Sequence, residues 1–255
     1  MRISFKHLKK KCAGCEKEGL TMNKEHVFPE WLILKTNVHK TGIRWITGKR
    51  VFTLACTIPL CCKCNKSFGK ELEIPVSVIF DTLESGKGIN DYDCELLIRW
   101  LWKTSGLLWH IGNNGNDKYT HTYTLKERVL QPIDQIRDKL VLAISRFEKV
   151  SSSREDLPMG IDSTNKVSAI FVSGVFSKLA ILVTHNDFRE FVPNNFTCYR
   201  LKDKLDIIDK RIVITPKVGF KNGVDAVQTT VGCSDILSAL HDKQAIEWNI
   251  MKYNK

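Results

Sequence analysis

The sequence predicts an α+β fold in two parts, an N-terminal module at 1–75 and an α+β domain at 76–255. Two later segments carry apolar residues at helical spacing, and at least four others are rich in Val, Ile and Phe, as strands are. In the N-terminal quarter, short apolar stretches alternate with pairs of cysteines. A chain of 255 residues is long enough to bury a sizeable core, as one large or two small domains.

The N-terminal module is expected to contain a strand, a short helix and a hairpin. The strand is predicted at 22–28 and the helix at 30–34, directly after Pro29. Apolar alternation on either side of a Thr47-Gly48-Lys49 turn predicts the hairpin at 42–58. A further helix after Cys64 is expected to end near Glu73, before Pro75, and the domain boundary is predicted in the connector at 75–93.

The second part is expected to begin with two helices and to continue with strands. The segment 92–111 is apolar on most faces, which predicts a buried helix, and its tryptophans are better explained by core packing than by stacking on bases. Apolar residues at helical spacing predict an amphipathic helix over 125–150. Strands are predicted as a pair within 167–184 and singly at 196–201 and 210–215, and a last helix is predicted from a Ser234 cap to about residue 253.

Four of the nine cysteines form two Cys-x-x-Cys pairs. The chain reverses within such a pair, so both thiols can point at one ion, and two pairs complete the tetrahedral four-sulfur shell of a structural zinc. The predicted ligands are Cys12, Cys15, Cys61 and Cys64. Cys62 is an adjacent alternative to Cys61, but the spacing to Cys64 favours Cys61. The remaining cysteines are expected to be buried apolar side chains: Cys56, Cys62, Cys94, Cys198 and Cys233.

Two further motifs accompany the cysteine pairs. Glu25-His26-Val27-Phe28-Pro29 lies between them, and the second pair continues as Asn65-Lys66-Ser67-Phe68-Gly69-Lys70-Glu71-Leu72-Glu73. This order, over about residues 9–75, resembles the HNH endonucleases of the ββα-metal type. It is most similar to the zinc-stapled bacterial branch, which reads Glu-His-Val-x-Pro and ends in Cys-x-x-Cys-Asn-x-x-Phe-Gly-x-x-Leu-Glu.

The resemblance implies a role for three residues. His26 matches the general base that takes a proton from the attacking water, and Glu25 and Asn65 match the side chains that hold one catalytic Mg²⁺ or Mn²⁺. Phosphodiester hydrolysis requires a base that titrates near neutral pH and a cation beside the scissile phosphate. Hard oxygen donors suit Mg²⁺ whereas thiolates suit zinc, so one small fold can sort two metals.

The sequence departs from the family pattern at one point and leaves alternatives open. The middle Asn of the family is missing from 51–60, where Thr53, Thr57 or a backbone carbonyl is the candidate substitute for orienting His26. The Glu25–His26 pair is also compatible with a surface pair or a core histidine, and Glu25 with a partner that orients the site. Asn65 is also compatible with a helix N-cap.

Positive charge is concentrated in the predicted module. The chain carries a net charge of +11, and residues 1–75 hold 15 Lys and Arg against 6 Asp and Glu, or +9. Such a basic module is expected to bind a polyanion, here nucleic acid, with DNA favoured by the family resemblance. The predicted nucleic-acid contacts are Lys9, Lys10, Lys11, Lys49, Arg50 and Lys66.

The cysteine usage and the apolar segments also bear on the environment of the chain. No cysteine pattern of a secreted framework, no signal peptide and no membrane span is predicted, so a cytoplasmic protein is expected. The expected function is metal-dependent cleavage of nucleic acid in a setting such as restriction or phage defence, and a homodimer or a partner protein acting as activator is compatible with it. The alternative is a zinc-ribbon nucleic-acid-binding protein with a degenerate nuclease centre.

Overall fold

A long central helix joins the N-terminal elements that carry the cysteine pairs (residues 11–68, called the hairpin unit below) to a mixed β-sheet. The structure is a computed structural model that describes residues 11–44, 50–51, 56–112, 119, 123–131, 133–149, 159–163 and 170–244. Both helices and strands are abundant, so the predicted α+β class is confirmed. No helix among these residues is long and apolar enough to cross a membrane.

The N-terminal elements follow the predicted order closely. In chain order they are β1 (Met22–His26), α1 (Glu30–Lys35), α2 (Val38–Thr41), β2 (Ile43–Arg44), β3 (Arg50–Val51), β4 (Thr57–Cys61) and α3 (Cys62–Phe68). Strands β2 and β3 pair antiparallel within the predicted hairpin at 42–58, but Thr57 and Ile58, expected in its second arm, belong to β4; residues 45–49 and 52–55 lie outside the described residues. Strand β4 pairs antiparallel with β1, and α3 follows β4 without a break. The result is a strand–strand–helix unit closed at the cysteine end.

The helix after the second cysteine pair does not end at Glu73. It passes through a π-helical turn (Gly69–Glu73) into α4 (Ile74–Glu84), so the predicted helix end was wrong. Pro75 has no N–H to give to the carbonyl four residues earlier, and a single wider turn just before it lets the helix continue. The predicted division at 75 stays a prediction, but a continuous helix and a shared apolar core run across this point.

The central helix α5 (Asp91–Gly112) follows the short strand β5 (Ile89–Asn90) and agrees with the predicted helix at 92–111. Its Trp100 and Trp102 are fully buried. Trp100 lies edge-on to Phe80 of α4, with ring centroids 5.4 Å apart, and Trp31 of α1 lies 5.1 Å from the same Phe80 ring. These aromatic rings fix the hairpin unit against α5, so the tryptophans serve the core as predicted.

After α5, the described residues form a six-stranded mixed sheet, two further α-helices and a short strand outside the sheet. In chain order the elements are α6 (Leu125–Leu130), β6 (Leu140–Lys149), β7 (Met159–Ser163), β8 (Val172–Phe176), β9 (Leu179–His185), β10 (Thr197–Arg200), β11 (Ile212–Ile214), β12 (Lys217–Asn222) and α7 (Gly223–Gln244). The sheet has the order β10-β6-β9-β8-β7, and β12 adds parallel to the second half of β6. Strand β11 pairs outside this sheet with β5, at the start of α5.

The central strands of the sheet, β6, β8 and β9, are buried on both faces over most of their length. Along β9, Leu179, Ile181 and Val183 belong to the core shared with α5, whereas Ala180 and Leu182 belong to a second core beneath α7. This alternation follows the two-residue period of a strand. The central helix therefore lies on one side of the sheet and α7 on the other.

Two sequence predictions in this half were wrong. The segment 125–150 is a short helix followed by strand β6 instead of one long helix; a strand with both faces buried reads as a continuous apolar run that also fits a helical pattern. The last helix begins at Gly223, and Ser234 lies buried within it. Its first turn is capped by Asn222, whose side chain accepts a hydrogen bond from the Asp225 N–H at 2.9 Å. The strands predicted within 167–184 and at 196–201 and 210–215 are confirmed.

Candidate metal centre and the strand–helix site

The two cysteine pairs meet at one point, where the ligand atoms of Cys12, Cys15, Cys61 and Cys64 all lie within 4.8 Å of one another. The Sγ atoms of Cys15 and Cys61 are 3.9 Å apart. Zinc–sulfur bonds of about 2.3 Å place the corners of a tetrahedron about 3.8 Å apart, so this spacing fits a four-sulfur zinc site. The cluster can therefore hold a structural metal such as zinc.

Backbone geometry brings the two pairs together. Met22 lies opposite Cys61 in the β1–β4 ladder, and Cys61 then caps α3, its Sγ accepting a hydrogen bond from the Cys64 N–H at 3.4 Å. The Cys61 N–H donates to the Sγ of Cys12 at 3.2 Å. A Cβ on Gly14 would lie 3.2 Å from both Cβ and Sγ of Cys64, so a glycine lets the first loop approach the helix this closely. N–H···S bonds of this kind stabilise thiolates.

The cluster favours a thiolate even before a metal is considered. A hydrogen bond from the Cys64 thiol lowers the pKa of Cys12 to about 4, against the opposing effect of burial. The same contact, together with burial, raises the pKa of Cys64. Without a metal, the arrangement thus favours a thiolate on Cys12 and a thiol on Cys64, whose proton a bound metal would displace.

Of the two adjacent cysteines, Cys61 and not Cys62 belongs to the cluster. Cys62 is exposed and lies outside the cluster, with its Sγ 3.5 Å from the Thr21 carbonyl oxygen. The expectation that Cys62 is a buried apolar side chain was therefore wrong, and Cys198 is only half-buried. Cys56, Cys94 and Cys233 are buried as expected.

Strand β1 carries the predicted catalytic pair at its end. Neighbouring residues of a strand face opposite sides; Glu25 is buried, whereas His26, the last residue of the strand, is half-buried. His26 lies opposite Thr57 in the ladder, and directly opposed residues place their side chains on the same face. Of the candidate substitutes for the missing Asn, Thr57 is therefore placed beside His26, and Thr53 lies outside the described residues.

Asn65 lies within α3, in the helix that packs against β1. Because Cys61 is the N-cap of α3, the alternative that Asn65 caps this helix is excluded. Asn65 is half-buried, one position after Cys64 of the cluster and one turn before the buried Phe68. The four-cysteine cluster, which includes Cys61 and Cys64, thus fixes the position of Asn65 on α3.

Glu25 is held by a residue that the sequence analysis did not single out. The Nζ atom of Lys103, fully buried on α5, donates to Oε1 of Glu25 at 2.8 Å and to Oε1 of Glu73 at 2.5 Å. Burial opposes the charge on Lys103, but Glu73 and Glu25 outweigh it and raise the pKa of Lys103. Burial also raises the pKa of Glu25, with a further contribution from Glu73, because two carboxylates share one ammonium.

A signal for Lys103 was present in the sequence. Along the largely apolar α5, four of the five Asp, Glu, Lys and Arg residues recur every four positions, at Asp91, Glu95, Arg99 and Lys103. Residues spaced by four share one helix face. Charges on one face of a buried helix require partners, and that requirement indicates paired sites along this face.

The other end of this charged face is anchored in the sheet domain. The guanidinium of Arg137, fully buried, pairs with Asp91 and Glu95. The Tyr199 hydroxyl of β10 donates to Asp91 at 3.0 Å. One helix therefore connects a buried ion network beside the sheet with the ion pair at Glu25.

The predicted nucleic-acid contacts are only partly described. Lys66 is exposed on α3, and Lys11 lies 3.3 Å from Glu16 in an ion pair. Arg50 belongs to β3, and Lys9, Lys10 and Lys49 lie outside the described residues. A cavity of about 340 Å³ opens beside the cysteine cluster. Three lysines that the sequence analysis did not propose line it: Lys17, Lys63 and Lys126.

Comparison with known proteins adds no relative. No protein-family model, no curated protein and no solved structure matches this chain. The likeness to HNH endonucleases therefore rests on the motifs within residues 9–75, and what it implies about activity is a proposal.

Proposed function

We propose that this chain is a metal-dependent endonuclease of the HNH type, which hydrolyses phosphodiester bonds of nucleic acid, with DNA as the favoured substrate. One observation carries the proposal. The four-cysteine cluster closes a strand–strand–helix unit in which β1, bearing Glu25 and His26, packs against α3, bearing Asn65. A purely structural metal site needs only the four cysteines, so it does not account for Glu25, His26 and Asn65 in the same unit.

The chain's own residues have distinct tasks in this proposal. His26, half-buried at the end of β1, takes a proton from the attacking water, and Thr57 beside it orients the ring. Asn65 and Glu25 offer the oxygen donors that Mg²⁺ or Mn²⁺ prefers. A divalent ion bound there would stabilise negative charge on the phosphate and the leaving oxygen.

The charge of the module suits a phosphodiester substrate. The +9 balance of residues 1–75 includes the exposed Lys66 and Lys63 on α3. Lys126 comes from the second part of the chain, and its N–H donates to the Gly14 carbonyl at 2.8 Å, which fixes α6 beside the first cysteine pair. Contacts from Lys63, Lys66 and Lys126 to phosphates would position a nucleic acid without reading its base sequence.

A second candidate function is a nucleic-acid-binding protein whose nuclease centre is degenerate. The ion pair between Glu25 and Lys103 favours it, because the carboxylate expected to bind a cation already has a cationic partner. The missing middle Asn points the same way. This candidate retains the cysteine cluster and the basic surface but assigns no chemistry to His26.

Cleavage of supercoiled plasmid with Mg²⁺ or Mn²⁺, with and without EDTA, tests the proposal. His26→Ala is expected to abolish nicking, and His39→Ala is the matched control. His39 is also half-buried in the same module, where its Nδ1 lies 3.5 Å from the Ile33 carbonyl oxygen. Zinc content and melting temperature of both variants should equal those of the wild type.

The outcomes separate the two candidates. Loss of nicking in His26→Ala alone supports the endonuclease. Wild-type protein that binds DNA but cuts nothing with either ion, alone or with candidate activator proteins, supports the binder. A single site cuts one strand, so the proposal predicts nicked circles before linear product unless the protein is a homodimer.

A further inference from the structure

The buried ammonium of Lys103 lies where helix α5 meets the proposed cation site. Its side chain has no solvent exposure, and its two carboxylate partners come from different elements, Glu25 from β1 and Glu73 from the π-helical turn. The Nζ also lies 5.9 Å from the ring centroid of Phe68 in α3. A single cation thus contacts the strand and the helix that the proposed nuclease site is built from.

The contact engages only one oxygen of Glu25. Lys103 donates to Oε1 of Glu25, and the carboxyl group of Glu73, bound to the same ammonium, lies within hydrogen-bonding reach of Glu25. About 10 % of the Glu25 side chain remains exposed. A carboxylate held through one oxygen can offer the other to a cation in a fixed direction, and such partners strongly influence metal affinity.

We infer that Lys103 is a positioning residue for the proposed endonuclease, holding Glu25 through Oε1 so that Oε2 is presented to the divalent ion. The inference rests on the proposed function and assigns to α5, outside the motif-bearing segment 9–75, a part in building the site. The alternative geometry is competition, in which the ammonium occupies the place of the ion and must leave before the ion binds.

The test measures Mn²⁺ binding to zinc-loaded protein by electron paramagnetic resonance, without nucleic acid. Lys103→Met alone would leave two carboxylates unpaired at a buried site. The informative variant is therefore Lys103→Met/Glu73→Gln, which keeps the net charge of the cluster unchanged. Lys103→Arg tests rescue by a second cation.

Lys35→Met is the matched control. The Nζ of Lys35 also bridges two carboxylates, those of Asp81 and Glu84, and lies 2.9 Å from Glu84. Both of these acids belong to α4 and not to β1. This variant should bind Mn²⁺ as the wild type does. Equal zinc content and cooperative unfolding in every variant would show that the fold is retained.

Positioning predicts that the double variant binds Mn²⁺ about 10–100-fold more weakly, with partial recovery in Lys103→Arg. Unchanged or tighter Mn²⁺ binding in the double variant would overturn the inference, since Lys103 would then be dispensable or a competitor. Wild-type protein that binds no Mn²⁺ would also overturn it. If Mn²⁺ binds in a Glu25-dependent and Lys103-dependent way but plasmid is never cut, the endonuclease proposal fails while the positioning role stands.

Discussion

Replacing Arg137 with methionine should destabilise the protein severely. The Arg137 side chain has no solvent exposure, and those of its partners Asp91 and Glu95 are 2 % and 1 % exposed. Methionine fills much of the space but leaves both carboxylates buried without their main cation. Removing one partner of a buried ion pair typically costs about 3–5 kcal/mol, which for a chain of this size lowers the melting temperature by roughly 6–20 °C.

The assay is urea and thermal unfolding followed by circular dichroism. The triple variant Arg137→Met/Asp91→Asn/Glu95→Gln should recover part of the loss, because neither carboxylate is then left charged; Arg99, whose guanidinium lies 3.2 Å from Glu95, loses that partner. Arg211→Met is the surface control: Arg211 pairs with Asp209 while 81 % exposed, and its loss should have little effect. The reasoning would be refuted if Arg137→Met melted within 2 °C of the wild type, on the order of a surface substitution, or if the triple variant were no more stable than the single one.

Three further predictions concern the metal cluster, a buried histidine and a crowded glycine. Cys64→Ser should lose zinc and unfold the hairpin unit, since zinc binding there is folding free energy, whereas Cys62→Ser should retain metal content and melting temperature; equal zinc content by atomic absorption would contradict this. Burial lowers the pKa of His241 to about 4. Between about pH 6.5 and pH 4 the unfolded state therefore binds a proton that the folded state does not, and the unfolding free energy should decrease by up to about 3 kcal/mol as the pH is lowered through this range. His241→Gln should reduce this pH dependence in urea titrations at stepped pH. Gly219→Ala would place a Cβ 2.0 Å from the Asn195 carbonyl oxygen and should lower stability by about 1–3 kcal/mol, whereas Gly232→Ala, with open space on helix α7, should raise it by about 0.5–1 kcal/mol; similar melting curves for the two variants would contradict the packing argument.

The sequence was most informative where chemistry restricts the spacing of residues. Two Cys-x-x-Cys pairs can close on one ion in few ways, and Cys61, which spacing alone favoured over Cys62, is the one that lies in the cluster. Strand β1 and helix α1 were predicted within two residues of their observed ends, because Pro29 separates them.

The sequence was least informative where tertiary burial determines the structure. The apolar run of β6 is buried on both faces, so its pattern lacks the polar alternation that would distinguish a strand from a helix. Pro132 within the predicted helix was the available warning. Pro75 led to the opposite error: the helix was predicted to end before it, but a π-helical turn accommodates this proline and the helix continues.

Part of the candidate site was also beyond local patterns. Lys103 and Glu25 are separated by 78 residues, and no motif joins them. Only the periodic charges of α5 indicated that this helix has polar partners, and they did not identify which ones. Thr57 was a candidate beside His26 from the start, but the strand register was needed to place it there.

Helix α5 also determines the distance and the rotation between the sheet and the cysteine-bearing unit. Asp91 and Lys103 are twelve residues apart, about 18 Å along the axis, and both are bonded to distant partners. Inserting one residue between them would rotate the lysine by about 100° and advance it by about 1.5 Å relative to the aspartate. The length of this segment therefore fixes both the twist and the distance at which the sheet and the cysteine-bearing unit face each other, and insertions that a surface loop would absorb are excluded here.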